Sequence, residues 1–539
     1  MHCGSSWRPF CNYLNITSCK EYGMKRRDFL KYGTTLSALP LVLKGQPVYA
    51  VARNLFLESL TSFRPDRKLV LVQLNGGNDG LNTFVPLDQY DNLQKARSNI
   101  IIPQNKLIHF TETIGLHPYF SKIKALSDEE KCLVIQNVGY PQPNLSHFRS
   151  KDIVTSGSAS DEVIHSGWMG RMLNELHPDY PVGYPNESYP HPVALTIGSA
   201  GSQTCQGYGS NLSAVIKNLN TVYQSPGEPG SYPDSPFGKE MEYIAGVMKR
   251  TEIYLEGISE ASSEATNLSS HYPTSGNKLA DQLKIVARLI AGGLNTQIYV
   301  VNLGGWDTHA DQTEDGVPEN GRHRTLLSNL SNALFAFQDD LNLLGVEDDV
   351  LGLVYTEFGR RIKSNASFGT DHGTAWPAIL FGSKVNPIIL GSNPVIPNQV
   401  EKKDNLPMQF DFRSVYGSIF KEWFEADDAD VQQVLFDQFE SLPILKPDTT
   451  SERTVTTRKF EMYPNPVKDH VMITLEVSEG DCTLQLFTSS GHLIKTPTSK
   501  LFNAGLHHFS LDLSYLEPGT YFLGLINGSR RQTIPFLKM

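Results

Sequence analysis

Side chains that can bind a metal ion or an anion are concentrated in one stretch of the chain, residues 350–382. They are Glu357, Arg360, Arg361, Asp371 and His372. Carboxylates together with an imidazole suit a divalent metal such as zinc or a harder ion, whereas paired arginines suit an oxyanion such as phosphate or sulfate. A surface ion-pair network is the alternative interpretation, and this stretch alone does not decide between the two.

Two other segments place carboxylates directly after apolar runs. Asp307 and His309 follow the run 297–303 and, two positions apart on a loop, can reach the same ion. Asp79 follows the run 68–74 in a glycine-rich turn, where a purely structural role is the alternative. This turn has neither the Gly-x-Gly-x-x-Gly spacing of a dinucleotide site nor the lysine of a phosphate-binding loop.

Ser146 is the candidate nucleophile, because it stands at the predicted start of a helix. Backbone N–H groups and the positive end of the helix dipole favour both a deprotonated hydroxyl and a bound oxyanion at such a position. An ordinary N-cap is the alternative, and the neighbouring His147 and Arg149 favour catalysis. The absence of a Gly-x-Ser-x-Gly elbow disfavours a serine–histidine–acid triad.

All these residues follow apolar runs that are typical of buried strands. The runs are 68–74, 133–138, 297–303 and 350–355. Helical patterns separate them, so the sequence predicts an α/β fold with a mostly parallel sheet flanked by helices. The carboxyl ends of such strands share one edge, where we expect the candidate residues to meet. The Pro-, Gly-, Ser- and Tyr-rich segment 174–275 is predicted to be largely irregular, with a helix over 240–258, and is a candidate specificity cap.

Composition narrows the possible classes of protein. The 539 residues are 40% hydrophobic and 19% charged, which is ordinary for a soluble chain of two to four domains. A net charge of -10 offers no basic surface, so no nucleic-acid partner is expected. No segment approaches the roughly 20 apolar residues of a spanning helix, so no transmembrane helix is expected.

The two ends of the chain differ from its centre. Residues 1–23 are predicted to lie upstream of the true start at Met24, and residues 24–50 to form a twin-arginine-type signal peptide that contains Arg26 and Arg27. A chance basic pair in an internal helix is the alternative. Residues 446–460 are a predicted polar linker, and residues 461–539 a small all-β sandwich of short alternating strands.

The central motifs resemble those of the domain-of-unknown-function 1501 family of exported bacterial proteins. The matching segments are 75–86, 143–149, 304–312, 356–361, 370–377 and 411–416. The resemblance covers about 69–445, within a predicted domain of 51–445. That family is similar to the alkaline phosphatase and sulfatase superfamily, which implies an alkaline-phosphatase-like fold and one or more divalent metal ions: zinc, manganese, calcium or magnesium.

The resemblance also implies roles for individual residues. The implied metal ligands are Asp79, Asp307, His309, Glu357, Asp371 and His372. Ser146, His147 and Arg360 are the implied catalytic residues, with Arg149 and Arg361 binding the substrate. The chain lacks the x-Pro-x-Arg sequence that follows the modified residue of formylglycine sulfatases, which argues against aldehyde chemistry.

Residues 461–539 resemble the C-terminal sorting domain of the type IX secretion system of Bacteroidota. The motifs that carry this resemblance are 464–466, 489–493, 518–521 and Lys538. A carbohydrate-binding sandwich is the alternative. The resemblance implies export by the Tat or Sec machinery, periplasmic transit, and passage through type IX machinery to the cell surface or the extracellular space.

Together these resemblances imply an exported metal-dependent hydrolase of phosphate or sulfate esters. Its substrate would be a small-molecule or glycan ester, attacked by Ser146 at a metal centre. The alternative is a non-catalytic cell-surface binding protein on a degenerate sulfatase-like scaffold.

Overall fold

The computed structural model describes residues 64, 66–219, 232–447, 460–477, 480–488, 493–503, 505–527 and 530–539. It also describes the backbone of Leu41–Leu43 and Gln46–Val48, which pair as an antiparallel hairpin. The proposed upstream start, the Arg26–Arg27 pair and most of the linker lie outside the described residues. The chain divides into two compact units, one over 59–458 and one that contains 459–539.

The larger unit alternates strands and helices. Its strands are β1 (Lys68–Asn75), β2 (Phe84–Pro86), β3 (Ile108–Thr111), β4 (Ile114–Leu116), β5 (Cys132–Gly139), β6 (Ala194–Ile197), β7 (Ser213–Ile216), β8 (Ile298–Gly304), β9 (Val350–Thr356), β10 (Gly359–Ser364), β11 (Thr370–Gly373), β12 (Trp376–Phe381), β13 (Ile389–Leu390) and β14 (Phe410–Asp411). Its α-helices are α1 (Gly80–Thr83), α2 (Tyr90–Ala96), α3 (Ser121–Asp128), α4 (His147–Ser156), α5 (Trp168–Leu176), α6 (Pro236–Glu264), α7 (Lys278–Ala291), α8 (Arg322–Leu343), α9 (Phe412–Ser418) and α10 (Asp428–Leu435), and a π-helical turn, Ile419–Trp423, follows α9.

The central sheet has the strand order β13-β5-β12-β9-β1-β8-β6-β7, and β14 also pairs with β5. Its neighbouring strands are parallel except at β12, which is antiparallel to both β9 and β5. The predicted mostly parallel α/β sheet is therefore confirmed. Because helices cover such a sheet on both faces, its central strands are apolar throughout rather than alternating, as the fully buried Leu69, Val70, Leu71 and Val72 of β1 show.

A separate hairpin carries part of the candidate chemistry. Strands β10 and β11 pair antiparallel and place Arg360 directly opposite His372. Strands β2, β4 and β3 form a further small antiparallel sheet.

The segment expected to be largely irregular extends the main sheet instead. Strands β6 and β7 lie within it, paired parallel at the edge beyond β8, and α6 is longer than the predicted helix 240–258. Four-residue strands between Pro- and Gly-rich turns are too short for a periodic pattern to reveal, because long-range pairing stabilises them.

The C-terminal unit consists of antiparallel strands in two sheets. Its strands are β15 (Phe460–Tyr463), β16 (His470–Val477), β17 (Gly480–Thr488), β18 (Leu493–Phe502), β19 (Gly505–Asp512), β20 (Gly519–Asn527) and β21 (Arg530–Lys538). The orders are β15-β16-β19 and β18-β17-β20-β21, and side chains from both sheets, such as Ile473 and Leu484, share one buried cluster. This is the small β-sandwich predicted from the alternating pattern. Among the described residues, no helix has the length and apolar character needed to cross a membrane.

Gly352, in β9, tests how tightly the central sheet is packed. A β-carbon at this position would overlap the ring of Phe381 on the neighbouring strand β12. We expect Gly352→Ala to lower the free energy of unfolding by about 1–3 kcal/mol, the usual cost of overpacking a core. Gly304→Ala is the matched control, because a β-carbon there meets open space. Equal denaturant midpoints for the two variants would contradict this account of the sheet.

Candidate metal centre

The candidate residues meet at the carboxyl edge of the central sheet. His147 begins α4 after β5, Asp307 and His309 follow β8, and Glu357 follows β9. His372 reaches the same place from β11 of the hairpin. The edge forms as predicted because β5, β8 and β9 all run parallel to β1 and therefore end on the same side.

Asp307 is the centre of the cluster. Its Oδ1 lies 3.2 Å from His309 Nε2 and 3.1 Å from His372 Nε2, and its Oδ2 lies 3.3 Å from His147 Nε2. The Nε2 atoms of His309 and His372 are 2.8 Å apart. These separations are close to the roughly 3.3 Å expected between ligand atoms that each lie about 2.0 Å from one tetrahedral zinc ion.

Each of the three histidines has an oxygen acceptor at its outer ring nitrogen. Every Nδ1 faces an oxygen acceptor; the pairs are His147 with Glu357 at 2.9 Å, His309 with Asp371 at 3.1 Å, and His372 with the backbone oxygen of Leu145 at 2.8 Å. A neutral imidazole donates from only one nitrogen, so the tautomer in which Nδ1 donates to this oxygen leaves a lone pair on Nε2 for a metal ion. His147, Asp307 and His372 place ligand atoms within 4.8 Å of one another, with His309 Nε2 close to two of them, and this donor set fits a divalent cation such as zinc.

Glu357 and Asp371, both predicted as metal ligands, lie behind the histidines, and each faces an Nδ1 atom. Glu357 is buried, and its Oε1 accepts from the backbone N–H of Gly76 at 2.8 Å as well as facing His147. Asp371 accepts from Asn365 at 3.3 Å beside His309. A carboxylate behind a ligating histidine fixes the ring's tautomer and raises its basicity.

Arg360 forms hydrogen bonds with several groups around the candidate metal centre. Its side chain is fully buried, and it donates to the backbone oxygens of Gly77 and Thr370 at 2.9 and 2.8 Å. It also donates to Asp307 Oδ1 at 2.8 Å. The guanidinium predicted to bind the substrate's oxyanion is therefore committed to the protein's own backbone and to the central carboxylate.

The charges around Asp307 favour its ionised form. Burial alone would raise the pKa of this carboxyl group, but the hydrogen bond and the positive charge of Arg360 hold the pKa well below its usual value. Burial lowers the pKa of His372, because the imidazolium is poorly solvated there. A carboxylate beside a neutral imidazole is the protonation state that a metal ligand requires.

The structure does not bring Asp79 into this group, although the family resemblance implied that it was a ligand. Its carboxylate is buried and forms an ion pair with Arg97 at 2.8 Å, and it accepts from Gln312 at 2.6 Å. Burial opposes ionisation, yet the charge of Arg97 leaves the pKa of Asp79 below its usual value.

The other residues predicted for the site are Ser146, Arg149 and Arg361. Ser146 is the exposed N-cap of α4, and its hydroxyl makes no capping hydrogen bond. Arg149 and Arg361 donate to backbone carbonyls, those of Ser160 at 3.1 Å and His372 at 3.0 Å respectively. Neither arginine is therefore a free anion ligand here.

Sequence reasoning missed Arg97 and the backbone oxygen of Leu145. Arg97 stands at the C-cap of α2 in an unremarkable polar context, so no local signal announces its burial. His147 was predicted as a catalytic residue, whereas its Nε2 lies with the inner ligand group, together with Asp307 and His372.

Comparison with known families identifies the larger unit. Residues 131–410 match the model described as "Protein of unknown function (DUF1501)". The chain belongs to the DUF1501 family. Residues 461–537 of this DUF1501 protein match the secretion system C-terminal sorting domain, which indicates export to the cell surface or the extracellular space and implies contact with type IX secretion machinery. No curated protein matches significantly.

Solved structures similar to this DUF1501 protein are distant. A Vibrio parahaemolyticus protein of the alkaline phosphatase superfamily shares 10% identity, with 91% of this chain and 88% of that chain covered and a TM-score of 0.31. A Pseudoalteromonas sulfatase shares 11% identity, with 86% of each chain covered and a TM-score of 0.31. PorZ of Porphyromonas gingivalis, a surface component of the type IX secretion system, shares 16% identity, with 18% of this chain and 13% of that chain covered and a TM-score of 0.13.

Metal content tests the division of the cluster into ligands and supporting residues. We expect Asp307→Ala and His372→Ala to remove stoichiometric metal from the purified protein, as measured by elemental analysis. We expect Glu357→Gln to bind the metal ion about 10–100-fold more weakly than the wild-type protein does, because His147 loses the carboxylate behind it. Glu401→Gln, an exposed change of the same type, is the control. Full metal affinity in Glu357→Gln would show that Glu357 does not support His147.

Asp79→Asn separates a structural carboxylate from a ligand. The variant should keep its metal, yet lose about 3–5 kcal/mol of stability because Arg97 is left buried without its partner. The folded-state pKa of Asp79 lies below its unfolded value of about 3.9, so the pair stabilises the fold above that pH and the contribution fades as pH falls. Unfolding followed against pH checks both effects. Loss of metal in this variant would return Asp79 to the ligand set.

Proposed function

We propose that this protein is an exported, metal-dependent hydrolase of phosphate or sulfate esters. The observation that carries the proposal is the group formed by His147, Asp307 and His372, with His309 Nε2 2.8 Å from His372 Nε2 and the exposed Ser146 next to His147 in the sequence. The match to a secretion sorting domain supports the exported location.

The proposed metal ligands are His147, Asp307, His309 and His372. The Nδ1 atoms of the three histidines face Glu357, Asp371 and a backbone oxygen, which supports the tautomers that leave Nε2 available to the ion. When bound, a divalent ion would supply Lewis acidity to an ester oxygen and lower the pKa of a neighbouring hydroxyl group.

Ser146 is the proposed nucleophile. It is exposed, it precedes the ligand His147 by one residue, and no capping bond holds its hydroxyl. The first N–H groups of an α-helix have no partners within the helix, so the first turn of α4 can donate to a non-bridging ester oxygen. In this proposal the backbone N–H groups, and not Arg360, Arg149 or Arg361, bind the ester oxygens, because the three arginines donate to other groups of the protein.

Attack by the Ser146 oxygen on phosphorus or sulfur would break the bond to the leaving alcohol and form a seryl ester. Water then releases the acid and restores the hydroxyl group. Arg360 acts in this proposal as a positioning residue: it holds Asp307 and the backbone carbonyls of β11 and of the β1–α1 turn, and does not touch the substrate.

Ser146→Ala tests the nucleophile separately from the metal. We expect the variant to retain wild-type metal content and thermal stability, while turnover of 4-nitrophenyl phosphate or 4-nitrophenyl sulfate falls by about 100-fold or more. Ser158→Ala, a serine outside the centre, is the control substitution. Wild-type turnover in Ser146→Ala would reject the serine and point to attack by water. A wild-type protein that binds no metal and hydrolyses neither ester would reject the proposed function and favour the binding scaffold.

A further inference from the structure

A cleft of about 710 Å³ opens at the same edge of the sheet. The ends of β1, β6 and β8 form its floor, with Asn75, Ile197 and Asn302 among the lining residues. The loop that follows β6, residues 198–202, and the first two turns of α7 form its sides. No residue of the proposed metal ligand set lines it, so it is a separate space.

Charge in the cleft is mainly positive. Lys151, Lys217 and Lys278 line it, and Asp281 is the acidic residue among the lining side chains. The three lysines are exposed, and none forms an ion pair with any residue in the described part of the chain. Each comes from a different element: α4, the turn after β7, and the start of α7. The whole chain carries a net charge of -10, so this positive cleft runs against the overall balance.

The cleft adjoins the metal centre through two elements. His147 and Lys151 are four residues apart in α4, so their side chains project from the same face about 6 Å apart along the helix axis. Lys151 donates to the side chain of Asn75 at 3.2 Å, and the next residue, Gly76, donates its N–H to Glu357 at 2.8 Å. The lining residues Lys151 and Asn75 therefore belong to the same helix and the same turn as residues that form or contact the candidate metal centre.

The cleft has both polar and apolar lining residues, which suits a ligand such as a saccharide that has hydroxyl groups as well as hydrocarbon faces. The glutamine side chains of Gln73, Gln203 and Gln282 line it, together with the small residues of the loop 198–202. Small residues let a ligand approach the backbone closely, and a β-carbon at Gly198 would meet open space, so nothing of the protein fills that side.

We propose that this cleft binds a second anionic group of the substrate, so that the preferred ester is a polyanion, such as a saccharide carrying more than one sulfate, phosphate or carboxylate group. Three lysines that have no carboxylate partner among the described residues then bind the group that is not being hydrolysed, while the ester to be cleaved lies at the metal centre. The inference rests on the proposed function, whose substrate class it defines.

Direct binding is the first test. The probe is a dextran sulfate oligomer, titrated calorimetrically into the full-length protein at several salt concentrations, with uncharged dextran of the same length as the reference. We expect the sulfated oligomer alone to bind, and Lys217→Gln/Lys278→Gln to weaken binding about tenfold or more, since each lost lysine removes a charge-assisted contact. Lys402→Gln/Lys403→Gln makes the same change of charge outside the cleft and should bind as the wild type does.

Kinetics then separate this inference from the proposed function. Two values of kcat/KM are compared, one for a doubly sulfated or phosphorylated ester and one for 4-nitrophenyl sulfate or phosphate. In Lys217→Gln/Lys278→Gln the ratio of the first value to the second should fall about tenfold, because KM for the doubly charged ester rises. An unchanged ratio, or equal losses of binding in the two double variants, would overturn the cleft assignment even if simple esters are still hydrolysed. Lysine-dependent oligomer binding by a wild-type protein that hydrolyses no ester would support the cleft and reject the hydrolase.

Discussion

The buried guanidinium of Arg360 is the interaction on which the candidate site depends. It joins the backbone of the β1–α1 turn, the loop after β8 and strand β11 to the carboxylate of Asp307. A fully buried charge is costly unless it is paired and hydrogen-bonded, so these contacts must form together for the fold to be stable. The same condition fixes Asp307 and His372 relative to each other, because Arg360 and His372 are direct partners in the β10–β11 hairpin.

Around this residue the site is arranged in layers of decreasing burial. Glu357 is buried, and the histidine that it orients is partly exposed. Asp307 itself is 46% exposed at its side chain, so a ligand can reach the inner group from solvent. The proposed catalytic metal site requires both features, because such a site keeps one coordination position open while outer hydrogen bonds orient its ligands.

The secretion sorting unit is stabilised by an apolar core of its own. Its strands alternate apolar and polar residues around their own core. In the described part of both units, the cysteines Cys132, Cys205 and Cys482 are buried and form no disulfide. Each described unit is therefore stabilised by packing and hydrogen bonding. Burial raises the pKa of the Cys132 and Cys205 thiols to about 12, which keeps both protonated and unreactive.

The sequence alone determined the parallel sheet and the edge at which the chemistry gathers, because apolar runs and the polar residues that end them are local patterns. It placed Asp307, His309, Glu357 and His372 on the correct edge for that reason. Only the tertiary structure decided which of them face inward, since a carboxylate's role depends on its partners: Asp79 is paired with Arg97, and Glu357 lies behind His147. The lysine-lined cleft was likewise invisible in the sequence, because its charges come from three elements that only the folded chain brings together.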